Sequence, residues 1–309
     1  MIRTLKVFML TSIGLSSGFH AGVGSALPLA PSVYPTVKTA HQAATGIALR
    51  QLKSDPEQQY FLYVPPQSGS GRPVFVTVHG VSRNAEEHAR RFKRLAKQYG
   101  VVLVAPLFPE AHFPDYQRLG QSGKGERPDR VLQAILNEVG NLTGADVDHV
   151  YLFGYSGGGQ FVHRYAMAYP DRVAKVAVGA AGWYTFPDPA ARFPRGLKTR
   201  TKSKGLRFEP EAFLKIPMAA FVGERDIRRG LERPEMNQTN KVDAQQGSTR
   251  LERGHRWIEA MQAAAADRRL TTPYEYETLP RASHSFKASM KHGQLGQRVF
   301  DFLFGPPPG

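Results

Sequence analysis

The sequence predicts an α/β fold in which a mainly parallel central sheet is flanked by helices. Short apolar runs rich in valine and aromatic residues alternate along the chain with amphipathic stretches. Several of these runs are apolar at consecutive positions, as in strands that are covered on both faces. With 309 residues, of which 41% are hydrophobic and 22% charged, the chain has enough apolar material for one large domain of this class.

The strands and helices alternate from about residue 60 to the end of the chain. The helix prediction is clearest where Asn84 is followed three residues later by Glu87 and an apolar stripe runs to Tyr99, just before Gly100. The other predicted helices are Pro128 to Val139, Gly158 to Tyr169, Gly254 to Ala266 and about His292 to Phe304. The predicted strands are Tyr60 to Val64, Val74 to Val78, Val101 to Ala105, His149 to Phe153, Val173 to Val178, Met218 to Val222 and Tyr274 to Leu279.

The first 26 residues have the layout of a secretory signal peptide. Arg3 and Lys6 are followed by a mostly apolar stretch to about Leu15 and then by small residues up to Ala26, after which cleavage is expected. The apolar stretch is interrupted by Thr11 and Ser12, so a disordered basic leader is the alternative. A signal peptide predicts a secreted or periplasmic protein.

Charge and composition narrow the possible partners. The formal net charge of +15 could favour anionic partners, but the basic residues are spread along the chain without a recognition motif, so no nucleic acid partner is expected. No apolar run approaches the roughly 18 residues of a membrane span, so no integral membrane association is expected. Cysteine is absent, which removes disulfides, thiolate nucleophiles and cysteine metal sites.

Two long connections interrupt the alternation of strands and helices. The segment 186–214 is rich in proline and basic residues, and 232–252 is polar. Connections of this length commonly serve as lids or binding loops, so both are predicted to cross one end of the sheet. The basic run of the first segment could steer anionic substrates or could simply be a solvated loop; it consists of Lys198, Arg200, Lys202, Lys204 and Arg207.

A GxSxG motif identifies the candidate nucleophile. Gly154, Ser156 and Gly158 follow a predicted strand and precede a predicted helix. In that context the serine sits on a strained turn that exposes its hydroxyl, and the glycines allow close backbone contacts. The alternative is a glycine-rich turn that only starts a helix. A phosphate-binding loop is disfavoured because neither GxGxxG nor GxxxxGK[ST] occurs.

A nucleophilic serine requires a histidine base and a carboxylate that orients the base. In serine hydrolases with this strand-turn-helix nucleophile, the acid and then the histidine follow the serine along the chain. Asp226 follows the next-to-last strand and His284 follows the last one, so these two are predicted to complete the triad. Glu224 is the alternative acid. Several of the other histidines have a structural reading: His88 and His163 lie inside predicted helices, His255 lies near a helix start, and His149 lies at the entry end of a strand.

Acyl transfer also needs two backbone N–H donors for the developing oxyanion. Gly157, the residue after the nucleophile, is predicted to supply one, and the loop after Val74 to Val78 the other. Val81 is the preferred donor in that loop and Ser82 the alternative. His79 is predicted to be structural, with its ring hydrogen-bonded beneath the loop.

These motifs together resemble a known family. The HG pair after Val74 to Val78, GYSGG at the turn, GxxD and the late SHSF are similar to those of α/β-hydrolases, and particularly of secreted bacterial esterases and polyhydroxybutyrate-depolymerase-like proteins. The resemblance covers roughly residues 55–304. Two departures are the lack of cysteine and the lack of a recognisable polymer-binding domain after the catalytic one.

The resemblance implies an α/β-hydrolase fold and a serine hydrolase that cleaves carboxylic esters through an acyl-enzyme. Small-molecule or polymeric esters are the expected substrates, and no metal or cofactor is expected. A serine peptidase or amidase and a catalytically silent binding protein are the alternatives. Tyr155, Trp183 and Tyr184 are candidate substrate-binding residues, although the last two could instead pack the long connection onto the body. The predicted organisation is a signal peptide (1–26), an N-terminal extension (27–54), a catalytic domain (55–304) with a lid-like segment at 186–214, and a flexible tail (305–309).

Overall fold

An eight-stranded sheet forms the centre of the fold. The computed structural model describes residues 46–66, 69–121, 123–199, 205–227 and 239–307, and the predicted signal peptide lies outside them. The strand order is β1-β2-β4-β3-β5-β6-β7-β8. The strands are β1 (Ala48–Leu52), β2 (Asp55–Tyr63), β3 (Pro73–Val78), β4 (Val102–Leu107), β5 (Asp146–Tyr155), β6 (Val173–Gly179), β7 (Met218–Gly223) and β8 (Tyr274–Leu279).

The predicted mainly parallel sheet is confirmed, with an antiparallel edge. Strands β3 to β8 pair in parallel, whereas β1 with β2 and β2 with β4 pair antiparallel. The sequence did not predict β1, which lies within the segment taken as an N-terminal extension. This strand is at the edge of the sheet and carries Arg50 and Gln51, so it lacks the continuous apolar pattern of a strand covered on both faces.

Helices follow most of the strands. The described helices are α1 (Ala85–Tyr99), α2 (Pro128–Thr143), α3 (Gly157–Ala168), α4 (Pro210–Phe213), α5 (Thr239–Gln246), α6 (Arg250–Ala266), α7 (Phe286–His292) and α8 (Leu295–Phe304). Three of the helix predictions differ from the observed bounds by more than one residue, and the first of these is α2, which ends at Thr143 rather than at Val139. Helix α6 begins four residues early because Thr249 and Glu252 form a capping box. The last predicted helix is two helices, since Gln294 adopts a left-handed backbone conformation between them.

Both faces of the sheet are covered, as the consecutive apolar positions predicted. Along β3, Val74 and Val76 pack into the cluster that includes residues of α2, α3 and α6. Phe75 points to the opposite face, where its ring lies 4.9 Å from that of Phe92 in α1 and 4.8 Å from that of Phe300 in α8, measured between centroids. This alternation of side chains fixes the register of β3 because a shift by one residue would exchange the two faces.

The order of the strands reverses at β3. From β3 the chain moves to one side to form β4 and then crosses to the other side of β3 to form β5. In open parallel sheets, the carboxyl ends of strands at such a reversal border a crevice that binds ligands. The GxSxG motif follows β5 and the predicted oxyanion loop follows β3, so both lie at the carboxyl ends of the two strands where the order reverses.

The two long connections are partly described. In the segment 186–214, Arg200, Lys202 and Lys204 lie outside the described residues, while Phe193 stacks on Phe208 with ring centroids 5.2 Å apart. The segment 232–252 contains α5 and the start of α6. Among the described residues, no helix combines the length and the apolar character that a membrane crossing would require.

Candidate active site

The turn between β5 and α3 presents Ser156 in an unusual backbone conformation. Its φ of 54° and ψ of −113° are rarely adopted by residues other than glycine. Strain of this kind is of the order of 1–3 kcal/mol and persists only where the surroundings enforce it. The Ser156 N–H donates to the carbonyl oxygen of Gly179 at 2.7 Å, and its own carbonyl accepts from Gln160 at 3.1 Å. The turn is therefore held from the neighbouring strand and from the helix.

Glycines on both sides of Ser156 permit this tight turn. A Cβ atom on Gly154 would lie 2.2 Å from the carbonyl oxygen of Gly158, and one on Gly158 would lie 2.1 Å from that of Val78. Neither contact is possible for a larger residue without movement of the backbone. The glycines of the motif therefore have a steric role in bringing α3 against β3 and β5.

The structure brings Ser156, His284 and Asp226 together in a continuous chain of hydrogen bonds. Ser156 Oγ lies 3.0 Å from His284 Nε2, and His284 Nδ1 lies 2.7 Å from Asp226 Oδ2. An ionised carboxylate can only accept hydrogen bonds, so Nδ1 carries the proton and Nε2 is left to accept one from the serine hydroxyl. The Asp226 side chain is fully buried, whereas that of His284 is 28% exposed.

The alternative acid, Glu224, is directed elsewhere. Its Oε1 accepts a hydrogen bond at 2.5 Å from the backbone N–H of Arg281, and the residue is exposed. The backbone explains the difference, because Asp226 N–H donates to Gly223 O at 2.9 Å and the chain turns directly after β7. That turn directs Asp226 inward.

The predicted oxyanion residues are neighbours in space. A Cβ atom on Gly157 would lie 3.2 Å from Cγ1 of Val81 and only 2.5 Å from the hydroxyl oxygen of Tyr116. Gly157 is the first residue of α3, where backbone N–H groups lack partners within the helix and the helix dipole favours negative charge. The loop after β3 and the start of α3 are thus in close contact beside Ser156.

His79 supports this loop from beneath, in agreement with the structural role expected for it. Its Nδ1 donates to Gly80 O at 2.8 Å, and its Nε2 accepts from the backbone N–H of Phe108 at 3.0 Å. Burial lowers the pKa of His79 to about 4, so the ring is neutral near pH 7. The Tyr116 hydroxyl donates to His79 O at 2.9 Å and closes the support of the loop.

Two other buried histidines are committed to structural contacts. His163 bonds to Gly159 O at 2.8 Å and accepts from the N–H of Thr185 at 3.0 Å. His88 lies 2.9 Å from Thr77 Oγ1, and its ring stacks on Phe286. Burial lowers the pKa of both rings well below the ordinary value. Neither histidine contacts Ser156.

The three candidate substrate-binding residues are all buried. The Tyr155 ring lies 5.7 Å from that of His284, and its hydroxyl lies 3.1 Å from Ser289 Oγ, so this side chain packs behind the histidine. Tyr184 is fully buried and stacks on Trp257 at 4.7 Å. Tyr155 and Tyr184 thus pack in the interior of this structure, and contact with a substrate stays a prediction for both.

Trp183 retains a small exposed fraction of 6%. The guanidinium of Arg164 lies 4.5 Å from the centroid of the Trp183 ring. Trp183 also packs against the buried side chain of Val242. These contacts are those expected if Trp183 packs the long connection onto the body of the protein. An apolar wall for the substrate, formed by Trp183 and Tyr184, stays a prediction.

Part of this chain is similar in sequence to known esterases. Residues 58–190 match the family model described as Esterase PHB depolymerase. A feruloyl esterase B of Thermothelomyces thermophilus is 26% identical over 188 residues, which are 56% of this chain and 63% of the relative. The alignment thus spans less than two thirds of the length of that curated relative.

Solved structures decide the fold. The LpqC poly(3-hydroxybutyrate) depolymerase of Bordetella parapertussis superposes with a TM-score of 0.64 at 26% identity, covering 82% of this chain and 85% of that one. The chain has the α/β-hydrolase fold. Poly(aspartic acid) hydrolase-1 of Sphingomonas sp. KT-1 has the same fold, with a TM-score of 0.68 at 24% identity over 82% of this α/β-hydrolase and 98% of the other chain.

One polar contact of the α/β-hydrolase site was not predicted from the sequence. Arg250 Nη1 donates to the second oxygen of Asp226, Oδ1, at 2.8 Å. The only sequence signal was the capping box of Thr249 and Glu252, which places Arg250 as the first residue of a helix. A cation is unfavourable at that end of a helix, so this position was a local inconsistency in the sequence.

Proposed function

We propose that this protein is a serine hydrolase that cleaves carboxylic esters through an acyl-enzyme, with Ser156 as nucleophile, His284 as general base and Asp226 as the orienting acid. The observation that carries the proposal is the hydrogen-bonded chain from Ser156 Oγ through His284 to Asp226, with distances of 3.0 and 2.7 Å. Its residues follow β5, β7 and β8 in the chain order serine, acid, histidine that is typical of the α/β-hydrolase fold. The catalytic domain is proposed to comprise residues 48–304, since β1 pairs with β2 in the same sheet.

In the first half of the reaction, His284 Nε2 removes the proton from Ser156 Oγ as this oxygen attacks the ester carbonyl. The carbonyl oxygen becomes an oxyanion, and the backbone N–H groups of Gly157 and Val81 are the proposed donors to it. The imidazolium then gives its proton to the departing alcohol, which leaves the acyl group on Ser156. In the second half, water repeats the attack with the same base and releases the acid.

Asp226 contributes through its buried negative charge. The imidazolium that forms on His284 is stabilised by the carboxylate oxygen 2.7 Å from Nδ1, and burial strengthens this attraction relative to water. The influence of the same charge extends to a neighbouring phenol, because burial together with the charge of Asp226 raises the pKa of Tyr276 to about 12.

The names of the relatives indicate the substrate class. The family model names an esterase that depolymerises polyhydroxybutyrate, and the curated relative is a feruloyl esterase. Both names describe hydrolysis of carboxylic esters. Ester substrates are therefore proposed for this chain, either small aromatic or aliphatic esters or short hydroxyalkanoate polymers.

The proposal is tested by labelling followed by a substrate panel. A fluorophosphonate should modify Ser156 in wild type and nothing in Ser156→Ala. The panel comprises p-nitrophenyl acetate and butyrate, ethyl ferulate, a polyhydroxybutyrate emulsion and a p-nitroanilide. Turnover of one or more esters without the anilide supports the proposal. Anilide turnover alone would indicate an amidase, and the absence of both labelling and turnover would indicate a binding protein.

Export is proposed separately, from the sequence of residues 1–26, which lie outside the described residues. The test is expression of the full chain in a Gram-negative host, followed by sequencing of the mature N-terminus. Export predicts mature protein in the periplasm or medium beginning at Leu27. Intact protein that begins at Met1 in the cytoplasm would contradict it.

A further inference from the structure

Asp226 has a second partner besides the proposed base. Its Oδ2 accepts from His284, while its Oδ1 accepts from Arg250 Nη1 at 2.8 Å. The Asp226 side chain is fully buried, and the Arg250 side chain is only 10% exposed. A buried carboxylate needs compensation for the solvation that it loses, and a charge-assisted bond to each oxygen provides it. The two partners also fix the rotation of the carboxylate plane.

The first turn of α6 holds Arg250 in place. The Thr249 side chain accepts from Glu252 N at 3.2 Å, and the Glu252 side chain accepts from Thr249 N at 3.4 Å. Nearby, the buried Arg253 donates to Gly247 O at 2.9 Å and to Gly182 O at 2.7 Å. The backbone that carries Arg250 is therefore anchored to the loops after β6 and α5 before the side chain makes any contact.

Arg250 and Arg253 use their guanidinium groups differently. Arg253 bonds to several acceptors that join neighbouring loops, as a structural arginine does. Arg250 has one hydrogen-bonded acceptor among the described residues, Asp226, and its buried Nε has no hydrogen-bond partner there. An arginine with only a structural role would be expected to donate more of its five N–H groups to hydrogen bonds.

The position of Arg250 is also unfavourable for the helix itself. It is the first residue of α6, where the positive end of the helix dipole repels a cation, and it is nearly buried. Residues that break a local rule in this way tend to occur at functional sites. The buried charge of Asp226 is what stabilises a cation at this point.

We propose that Arg250 is a positioning residue for the reaction: its guanidinium fixes the Asp226 carboxylate, and through it the His284 ring, in the orientation that deprotonates Ser156. The inference rests on the proposed function and extends it by one residue. Arg250 reaches the reacting atoms only through Asp226 and His284. Its loss should therefore reduce kcat and leave substrate binding unchanged.

The kinetic test compares Arg250→Met, Arg250→Lys and the control Arg256→Met, which removes the same charge from the exposed face of α6. A misplaced catalytic group lowers kcat by about 100-fold, and that loss is expected for Arg250→Met with KM unchanged. Lysine should restore most of the rate because its ammonium can donate to Oδ1, and Arg256→Met should behave as wild type. Wild-type kcat in a folded Arg250→Met, or a change confined to KM, would overturn the proposal.

A second readout does not require turnover. The His284 Nδ1 proton in its bond to Asp226 should give a downfield proton NMR signal, assigned by its loss in His284→Ala. We expect the signal to move or broaden in Arg250→Met and to be retained in Arg250→Lys; an unchanged signal in Arg250→Met would refute the positioning role.

If wild type hydrolyses no ester, the proposed function fails while this signal still tests Arg250. If Arg250→Met does not fold, Arg250→Lys and Arg250→Gln give the same comparison. A loss of kcat is expected only for the glutamine variant. Equal kcat values in the two variants would refute the positioning role of Arg250.

Discussion

A Cβ atom on Gly154 would lie 2.2 Å from the carbonyl oxygen of Gly158. Gly154→Ala should therefore force β5 and α3 apart, at an overpacking cost of about 1–3 kcal/mol. Urea unfolding measures this loss, and ester turnover should fall with it because Ser156 lies between the two elements. Gly69→Ala is the control, since the nearest atoms to a Cβ there are 3.8 Å away in the flexible side chain of Arg72. Equal stability of the two variants would contradict the steric role of Gly154.

The hydrogen-bonded chain of Ser156, His284 and Asp226 should act as a unit. Ser156→Ala or His284→Ala alone should lower kcat by about 10⁴- to 10⁶-fold, and the double variant should be little worse than either. Asp226→Asn should also be severe because an amide favours the wrong tautomer of His284.

Glu224→Gln is the matched control for the acid. Its side-chain oxygen can still accept from the Arg281 N–H, and it does not reach His284, so kcat should stay at the wild-type value. Steady-state kinetics with p-nitrophenyl acetate decides between the two carboxylates. A severe loss in Glu224→Gln with a mild one in Asp226→Asn would reverse the assignment of the acid.

The sequence predicted the elements that local chemistry determines. The parallel strands were visible as apolar runs, and the turn at Ser156 was visible because its glycines, strand and helix are contiguous. Helix α1 was predicted from Asn84 and Glu87, but the expected backbone cap is absent, since Asn84 Nδ2 donates to the Glu87 side chain at 2.8 Å. The start and end of this helix were still right because Gly100 ends it in a left-handed conformation.

Contacts between distant segments could not be predicted in the same way. Arg250 meets Asp226 across 24 residues, and nothing local to either one indicates the other. Tyr184 was a candidate for the substrate surface because it follows β6, yet its ring lies under α6 against Trp257. Such burial depends on how the chain turns after Gly179, where Ala180 has a φ of 42°. An alanine in that conformation has no sequence signature.

The role of the Val81 backbone N–H as a proposed oxyanion donor can be separated from the role of its side chain by comparing two variants. Val81→Pro deletes the backbone N–H, whereas Val81→Ala retains it and trims a side chain that is 45% exposed. Loss of one oxyanion donor lowers kcat by about 10²- to 10³-fold, so the proline variant should show that loss and the alanine variant should not. Thermal unfolding of both variants checks that the loop after β3 is intact. A folded proline variant with wild-type kcat would transfer the role to another donor, such as Ser82.

Buried neutral histidines should make the fold sensitive to acid. Burial lowers the pKa of His79 to about 4 from an ordinary value of 6.5, and it also lowers those of His88 and His163. Below pH 6.5 the unfolded chain takes up protons that the folded protein refuses, so stability is full above that pH and falls as the pH drops towards 4. For His79 alone the loss amounts to about 3 kcal/mol. Urea midpoints at pH 7.5, 6 and 5 should decrease in that order.

The contribution of His79 is isolated by substitution. His79→Asn keeps a donor for Gly80 O but does not titrate, so it should be less stable than wild type at pH 7.5 and should lose less stability between pH 7.5 and 5. His255→Gln is the control, because the His255 side chain is 56% exposed on α6 and meets solvent in both states. That variant should keep the wild-type dependence on pH. If His79→Asn and wild type lose the same stability over this range, the neutral His79 ring beneath the loop after β3 is not a source of the acid sensitivity.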